Sequence, residues 1–201
     1  MPKAWQPAFV RPKWLHAPAI GNNPMTFQAI SAGVDRLMSI LQRRPDFGLQ
    51  DDSPATARWE SNLRVVSSHE NGTEFVTDMP VELGGGGNQV TPGWLMRAGL
   101  ASCTATRIVM AAAAERIELT MLEVTAHSKS DVRGLFGMAD AKGAPVNAGP
   151  RDVELIVRLS APGIATERLR ALVEESHRCS PVSNALCRLV PVSLHIDIDA
   201  G

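Results

Sequence analysis

The sequence predicts an α+β protein, and three observations carry that prediction. Strand-type and helix-type runs follow one another as strand, strand, helix, strand, strand, helix, strand. The two kinds are therefore partly segregated rather than wound as βαβ units. One helical run, Trp94 to Ile117, is apolar around most of its circumference, which marks a helix enclosed by other structure. No uninterrupted apolar run reaches the roughly 18 to 20 residues needed to span a bilayer.

Composition narrows the functional classes. The 201 residues are 44% hydrophobic and 20% charged, the composition of an ordinary soluble globular protein of one or two domains. A chain of this size can bury roughly 70% of its unfolded surface without staples. With 20 Lys+Arg against 21 Asp+Glu there is no basic excess to neutralise a phosphate backbone, so neither nucleic acid nor a membrane surface is an expected partner. The start, MPKAWQPAFVRPKW, lacks the apolar stretch of a signal peptide, so a cytoplasmic location is expected. Cys103, Cys179 and Cys187 are odd in number and contain no CxxC pair, which argues against a disulfide framework. They are buried fillers or redox-active thiols.

The elements follow in order. Pro2, Pro7, Pro12, Pro18 and Pro24 forbid regular structure before about residue 25, leaving an arm. From about residue 26 to 44, Phe27, Ile30, Val34, Leu37, Ile40 and Leu41 recur at helical spacing until Pro45 stops the run. Asp46 to Ala57 reads as a linker, so residues 1–57 are expected to form an extension and 58–201 the main domain. Leu63 to His69 and Thr73 to Met79 are β-type runs around Asn71 and Gly72, as in a hairpin. Gly84 to Gly87 should form a flexible connection to the apolar helix, which Thr91 and Pro92 open. Leu122, Val124 and Ala126 alternate with polar residues, as do Val153, Leu155, Val157 and Leu159, giving two half-buried strands. A long loop or irregular hairpin joins them. Thr166 opens a second helix with the stripe Leu169, Leu172, Val173 and Ser176, ending near Pro181, with a short helical piece around Asn184 to Arg188. Val192, Leu194, Ile196 and Ile198 alternate as a closing strand. These few strands cannot cover the apolar helix in a monomer, which predicts a homodimer.

The chemistry turns on Cys103, in the middle of that helix. It is either a small apolar filler among alanines or a thiolate. Ten residues inside the helix, it lies beyond reach of the N-terminal dipole, so a thiolate needs a nearby cation. Arg107, four residues on, shares its face; its other possible partners are Glu115 and solvent. Cys179, three residues after Ser176, is expected on the inward stripe of the second helix, flanked by Ser180. Two inward cysteines could act as attacking and resolving thiols, one becoming a sulfenic acid that condenses with the other. His177 with Cys179 and Cys187 fits no standard zinc spacing, the glycines precede no Gly-Lys-Ser/Thr, and no metal or cofactor is expected. Cys187 is expected in the core, and His195 outward on the last strand.

The runs MPVELGGGGNQVTPGWLMRAGLASCTATRIVM and HRCSPVSNAL resemble the OsmC/Ohr family over roughly residues 58 to 199. The resemblance implies an OsmC-like fold, two central helices wrapped by β-sheets in an intertwined homodimer. It also implies a thiol-dependent peroxidase that reduces organic hydroperoxides or hydrogen peroxide and is recycled by a small or protein dithiol. Cys103 stands at the peroxidatic position and Cys179 beside the resolving one, with an arginine from the first hairpin and a glutamate ten residues before the cysteine holding the thiolate. Three departures accompany the match. Gly93 occupies the glutamate position; Ser61 lies nearest the arginine position, with Arg58 and Arg64 three residues to either side; and Ser180, not Cys179, occupies the resolving position. Arg64, Arg58 and Arg107 are the candidate cations, Arg64 first because it lies in the hairpin. The alternatives are a non-catalytic relative binding a small apolar molecule or partner in the same pocket, and a peroxidase with one working cysteine resolved by an external thiol.

Overall fold

The computed structural model describes residues 27–188 and 190–198 and divides into two compact units between Pro92 and Gly93. The proline-punctuated arm lies outside the described residues.

In the first unit, helix α1 spans Phe27–Arg43. Its periodic residues Phe27, Ile30, Val34, Leu37, Ile40 and Leu41 are half-buried, as their spacing predicts, with Ser31 buried beside them. A three-stranded antiparallel sheet follows in the order β1 (Thr56–Ser61), β2 (Arg64–Ser68), β3 (Glu74–Thr77). The β2–β3 hairpin is the expected one, with Val66 opposite Val76 and Gly72 at φ +88 supplying the left-handed turn. Strand β1 falls at the end of the expected linker. All six of its residues are exposed, so it has no buried alternation to betray it; β2 pairs with it by backbone hydrogen bonds, Thr56 opposite Ser68.

The glycine run is built rather than loose. After a 3-10 turn over Val81–Leu83, Gly84 adopts φ +86. The buried Asp78 carboxylate accepts the Met79 N–H at 2.7 Å and the Gly86 N–H at 2.9 Å. A Cβ on Gly85 would lie 1.9 Å from the Met79 carbonyl oxygen, so only glycine fits.

The second unit is built on α2 (Pro92–Ala114), the antiparallel pair β4 (Met121–Lys129) and β5 (Arg151–Ser160), a single helical turn α3 (Val132–Leu135), and α4 (Thr166–Arg178) followed by α5 (Pro181–Cys187). Helix α2 opens at Pro92 as expected and ends in a Schellman arrangement. The Ile117 N–H reaches the Ala112 carbonyl at 2.8 Å, the Arg116 N–H reaches Ala113 at 3.2 Å, and Arg116 itself sits at φ +59. Ile117 then folds onto Ala112 in the core with Ile108, Ala161 and Leu172. Leu122 and Val124 of β4, Val157 of β5, and Leu169 and Val173 of α4 pack around that core. The long β4–β5 loop contains α3, capped by Asp131. Hydrogen bonds from the Arg133 side chain and then its backbone N–H lower the Asp131 carboxyl to about 2.

Three further expectations change. Only one stripe of α2 is buried, Leu100, Thr104, Ile108, Ala112 and Ala113, while Trp94 and Met110 are exposed, so this helix is not enclosed by the described residues of its own unit. Residues 190–198 form no strand: Val192, Leu194, Ile196 and Ile198 are 73–90% exposed, and no ladder joins them to any described residue. Alternation decides which side chains would share a face, but a strand needs a neighbour's backbone as well. Cys187 is exposed rather than in the core.

Replacing Asp78 by Ala strands two loop N–H groups, and Gly85→Ala drives a Cβ into a carbonyl; each should lower stability by about 1–3 kcal/mol in urea unfolding. Unchanged midpoints for both would mean that the loop carries no structure.

Candidate functional site

Cys103 lies half-buried on α2, directly before the buried Thr104. The opposing surface comes from the end of α4 and the start of α5. Helix α4 stops at Arg178 and Cys179 is its C-cap. Ser180 then turns to φ −77, ψ 120, an extended conformation that serves as the N-cap of α5, with Pro181 at the first helical position. Proline disfavours a helical residue before it, so Pro181 sets where this break falls. The chain that leaves the helix there carries Cys179 to the surface and Ser180 inward. Cys179 is exposed, whereas Ser180 is 0% exposed and its Oγ donates to Cys103 Sγ at 3.4 Å. The inward position expected for Cys179 therefore belongs to its neighbour.

Ser180 is one of several buried hydroxyls. Thr104 Oγ1 donates to the Leu100 carbonyl at 2.9 Å and lies 3.5 Å from Ser183 Oγ. Ser176, one turn before Ser180, is fully buried, and its Oγ has no hydrogen-bond partner among the described residues. The Thr104–Ser183 pair leaves no mark in the sequence beyond the spacing of Ser176, Ser180 and Ser183 by four and three residues. Beside the pair opens a cleft of about 420 Å³, apolar along Leu100, Val153, Leu155, Val157 and Val173, with Glu174 and His177 at its polar side.

The candidate cations differ in their engagements. Arg107 lies one turn after Cys103 on α2, half-buried, and pairs with no carboxylate among the described residues. Glu115, its possible partner, is bound instead by both Arg168 Nε, at 2.8 Å, and Arg168 Nη2. That pair ties the end of α2 to the first turn of α4 and raises the Arg168 pKa. Arg64, in the first unit, is ion-paired to Glu60. Gly93 is exposed in the first turn of α2. Among the described residues no three His, Cys, Asp or Glu side chains converge as a metal site, and no helix is long and apolar enough to cross a membrane.

Fold and site together define an α+β protein with a half-buried thiol facing a break between two helices. The chain belongs to the OsmC-like family: the family model described as OsmC-like protein matches residues 85–195. An organic hydroperoxide resistance protein of Xanthomonas axonopodis pv. citri (strain 306) is 31% identical over 144 residues, covering 70% of this chain and 89% of the relative. Among solved structures, an OsmC-like protein from Mycoplasma pneumoniae superposes with a TM-score of 0.58 at 15% identity, covering 70% of this chain and 91% of its own. An organic hydroperoxide resistance protein from Elizabethkingia anophelis does so with a TM-score of 0.50 at 24% identity, covering 68% and 89%. The resemblance read from the two sequence blocks is borne out, and so is the α+β, OsmC-like fold.

A buried hydroxyl with no partner costs stability, so Ser176→Ala should leave the unfolding free energy unchanged or raise it by about 1 kcal/mol. A loss above about 1 kcal/mol would show that the hydroxyl is satisfied in the native protein.

Proposed function

We propose that the chain is a thiol-dependent peroxidase that reduces organic hydroperoxides, with Cys103 as the attacking residue. The carrying observation is the Cys103 sulfur itself, half-buried on α2 with a buried hydroxyl donating to it at 3.4 Å. Family membership and relatives named for organic hydroperoxide resistance support the substrate class. In the reaction the thiolate sulfur attacks the outer peroxide oxygen. An S–O bond forms as the O–O bond breaks, the alkoxide leaves and takes a proton to become an alcohol, and Cys103 is left as a sulfenic acid. The Ser180 hydroxyl, 3.4 Å from the sulfur, is placed to donate to it during the attack.

Arg107 is the cation this reading assigns to the thiolate. Side chains on a helix lean toward its N-terminus, so an arginine four residues on extends over the turn that carries Cys103. No ion pair holds it elsewhere among the described residues, unlike Arg64 with Glu60.

The apolar cleft beside Thr104 favours a second reading, a binding protein for a small apolar molecule. The two separate cleanly. With cumene hydroperoxide, the wild-type chain should lose free thiol and consume peroxide; Cys103→Ser should abolish both, and Arg107→Gln should slow the reaction at least about tenfold while Arg64→Gln stays within about twofold. Retained thiols with measurable binding of cumyl alcohol would select the binding protein instead.

We also infer that the working unit is a homodimer. The uncovered face of α2 and the alternating apolar side chains of residues 190–198 support this, since contiguous exposed apolar surface is costly in a monomer. Light scattering should give twice the chain mass, and Leu194→Asp with Ile196→Asp should shift it toward one; a monodisperse wild-type monomer would refute the assignment.

A further inference from the structure

The residue that touches the Cys103 sulfur cannot resolve it. A disulfide needs a second sulfur roughly 2.05 Å away, and the position in contact holds the Ser180 hydroxyl at 3.4 Å. Serine can donate a hydrogen bond to a thiolate or to a sulfenic oxygen, but it cannot displace that oxygen to form an S–S bond. The cysteine next to it in sequence, Cys179, is turned to the surface by the helix break, and Cys187 is exposed at the cleft. Ser180 is fixed where it is: its backbone caps α5, Pro181 follows it, its carbonyl accepts the Asn184 side-chain amide at 3.0 Å, and the residue is completely buried. Bringing Cys179 inward would unwind this junction and expose Ser180, whereas a small molecule needs only the opening that leaves Cys103 half-exposed.

Resting on the peroxidase reading above, we propose that this chain runs a one-cysteine cycle. Ser180 is a positioning residue that holds the Cys103 sulfur, and a small-molecule thiol, not a cysteine of the same chain, resolves the sulfenic acid. In that step the sulfur of the incoming thiol attacks the Cys103 sulfur. The S–S bond of a mixed disulfide forms, the S–O bond breaks, and the hydroxyl leaves with the thiol's proton as water. A second molecule of thiol attacks the mixed disulfide, returning Cys103 to the reduced form and releasing a small-molecule disulfide that carries away the two oxidising equivalents.

The test uses the full chain, cumene hydroperoxide as oxidant, and dimedone and β-mercaptoethanol as probes. One equivalent of hydroperoxide should remove one thiol per chain. Dimedone should label Cys103, β-mercaptoethanol should give a mixed disulfide on Cys103, and excess β-mercaptoethanol should sustain turnover. Ser180→Ala should slow Cys103 oxidation roughly tenfold, the effect of losing one hydrogen bond to a charged sulfur, with the urea midpoint little changed. Ser180→Cys keeps a donor and adds a sulfur at the contact position. That variant should lose two thiols, show a disulfide between Cys103 and the introduced thiol by peptide mapping, and no longer trap dimedone. A Cys103–Cys179 link with two thiols lost in the wild-type chain would overturn the one-cysteine cycle, and Ser180→Ala reacting at the wild-type rate would overturn the role of Ser180. Loss of no thiol from the wild-type chain is a different failure, that of the peroxidase reading itself.

Discussion

The surroundings of Cys103 depend on the packing of α4 against α2. Leu172 is completely buried against Ile108 and Ala112, in the buried stripe of α2. Burying a leucine of this kind contributes roughly 1.5–3 kcal/mol. The Arg168–Glu115 pair adds orientation more than energy, because both side chains remain partly exposed to solvent. With the two helices held at this level, Ser176, Ser180 and Ser183 come to lie along one side, and Cys103 and Thr104 along the other. Any change that slid α4 by one turn would move Ser180 about 5.4 Å along the helix and off the thiol.

That packing also divides the interior chemically. Toward the end of α2 the contact is wholly apolar, through Ile108, Ala112 and Ile117; toward its middle it becomes a set of hydroxyls around a thiol, with an apolar cleft alongside. At the thiol itself the donor is Ser180, whose hydroxyl lies 3.4 Å from the sulfur. A filler cysteine would sit as well among the alanines nearer the helix end. The family's glutamate position is filled by Gly93, which cannot carry charge, and the hairpin arginine Arg64 is neutralised locally by Glu60. Among the described residues, the hydroxyl in contact with the sulfur comes from the α4–α5 junction.

Most of the fold was legible because it is written in periods. The three-and-four spacing of α1 and of Leu169, Leu172, Val173 and Ser176 on α4, and the alternation in β4 and β5, each state which side faces inward, and the structure buries or half-buries those sides, apart from Val153 at the start of β5, which is 42% exposed. Strand β1 was illegible for the same reason: with every residue exposed it has no inside and outside to alternate, and only backbone pairing with β2 makes it a strand. Residues 190–198 are the opposite case, a perfect alternation without a paired edge. The glycine run looked slack in composition. It is held because Asp78, eight residues before Gly86, turns its carboxylate into the loop, a side-chain contact that no periodic pattern records.

At the site, the sequence by itself determined that a cysteine stands mid-helix with an arginine one turn away, and it determined the family, since both follow from residue identity and spacing. It could not decide which of two adjacent residues, Cys179 or Ser180, faces that cysteine. One step along a helix is a rotation of about 100°, and here the step coincides with the end of the helix, where Ser180 abandons helical geometry ahead of Pro181. Only the tertiary structure resolves such a position, because the direction of a side chain at a helix break is set by the packing of the next helix rather than by the period of the last.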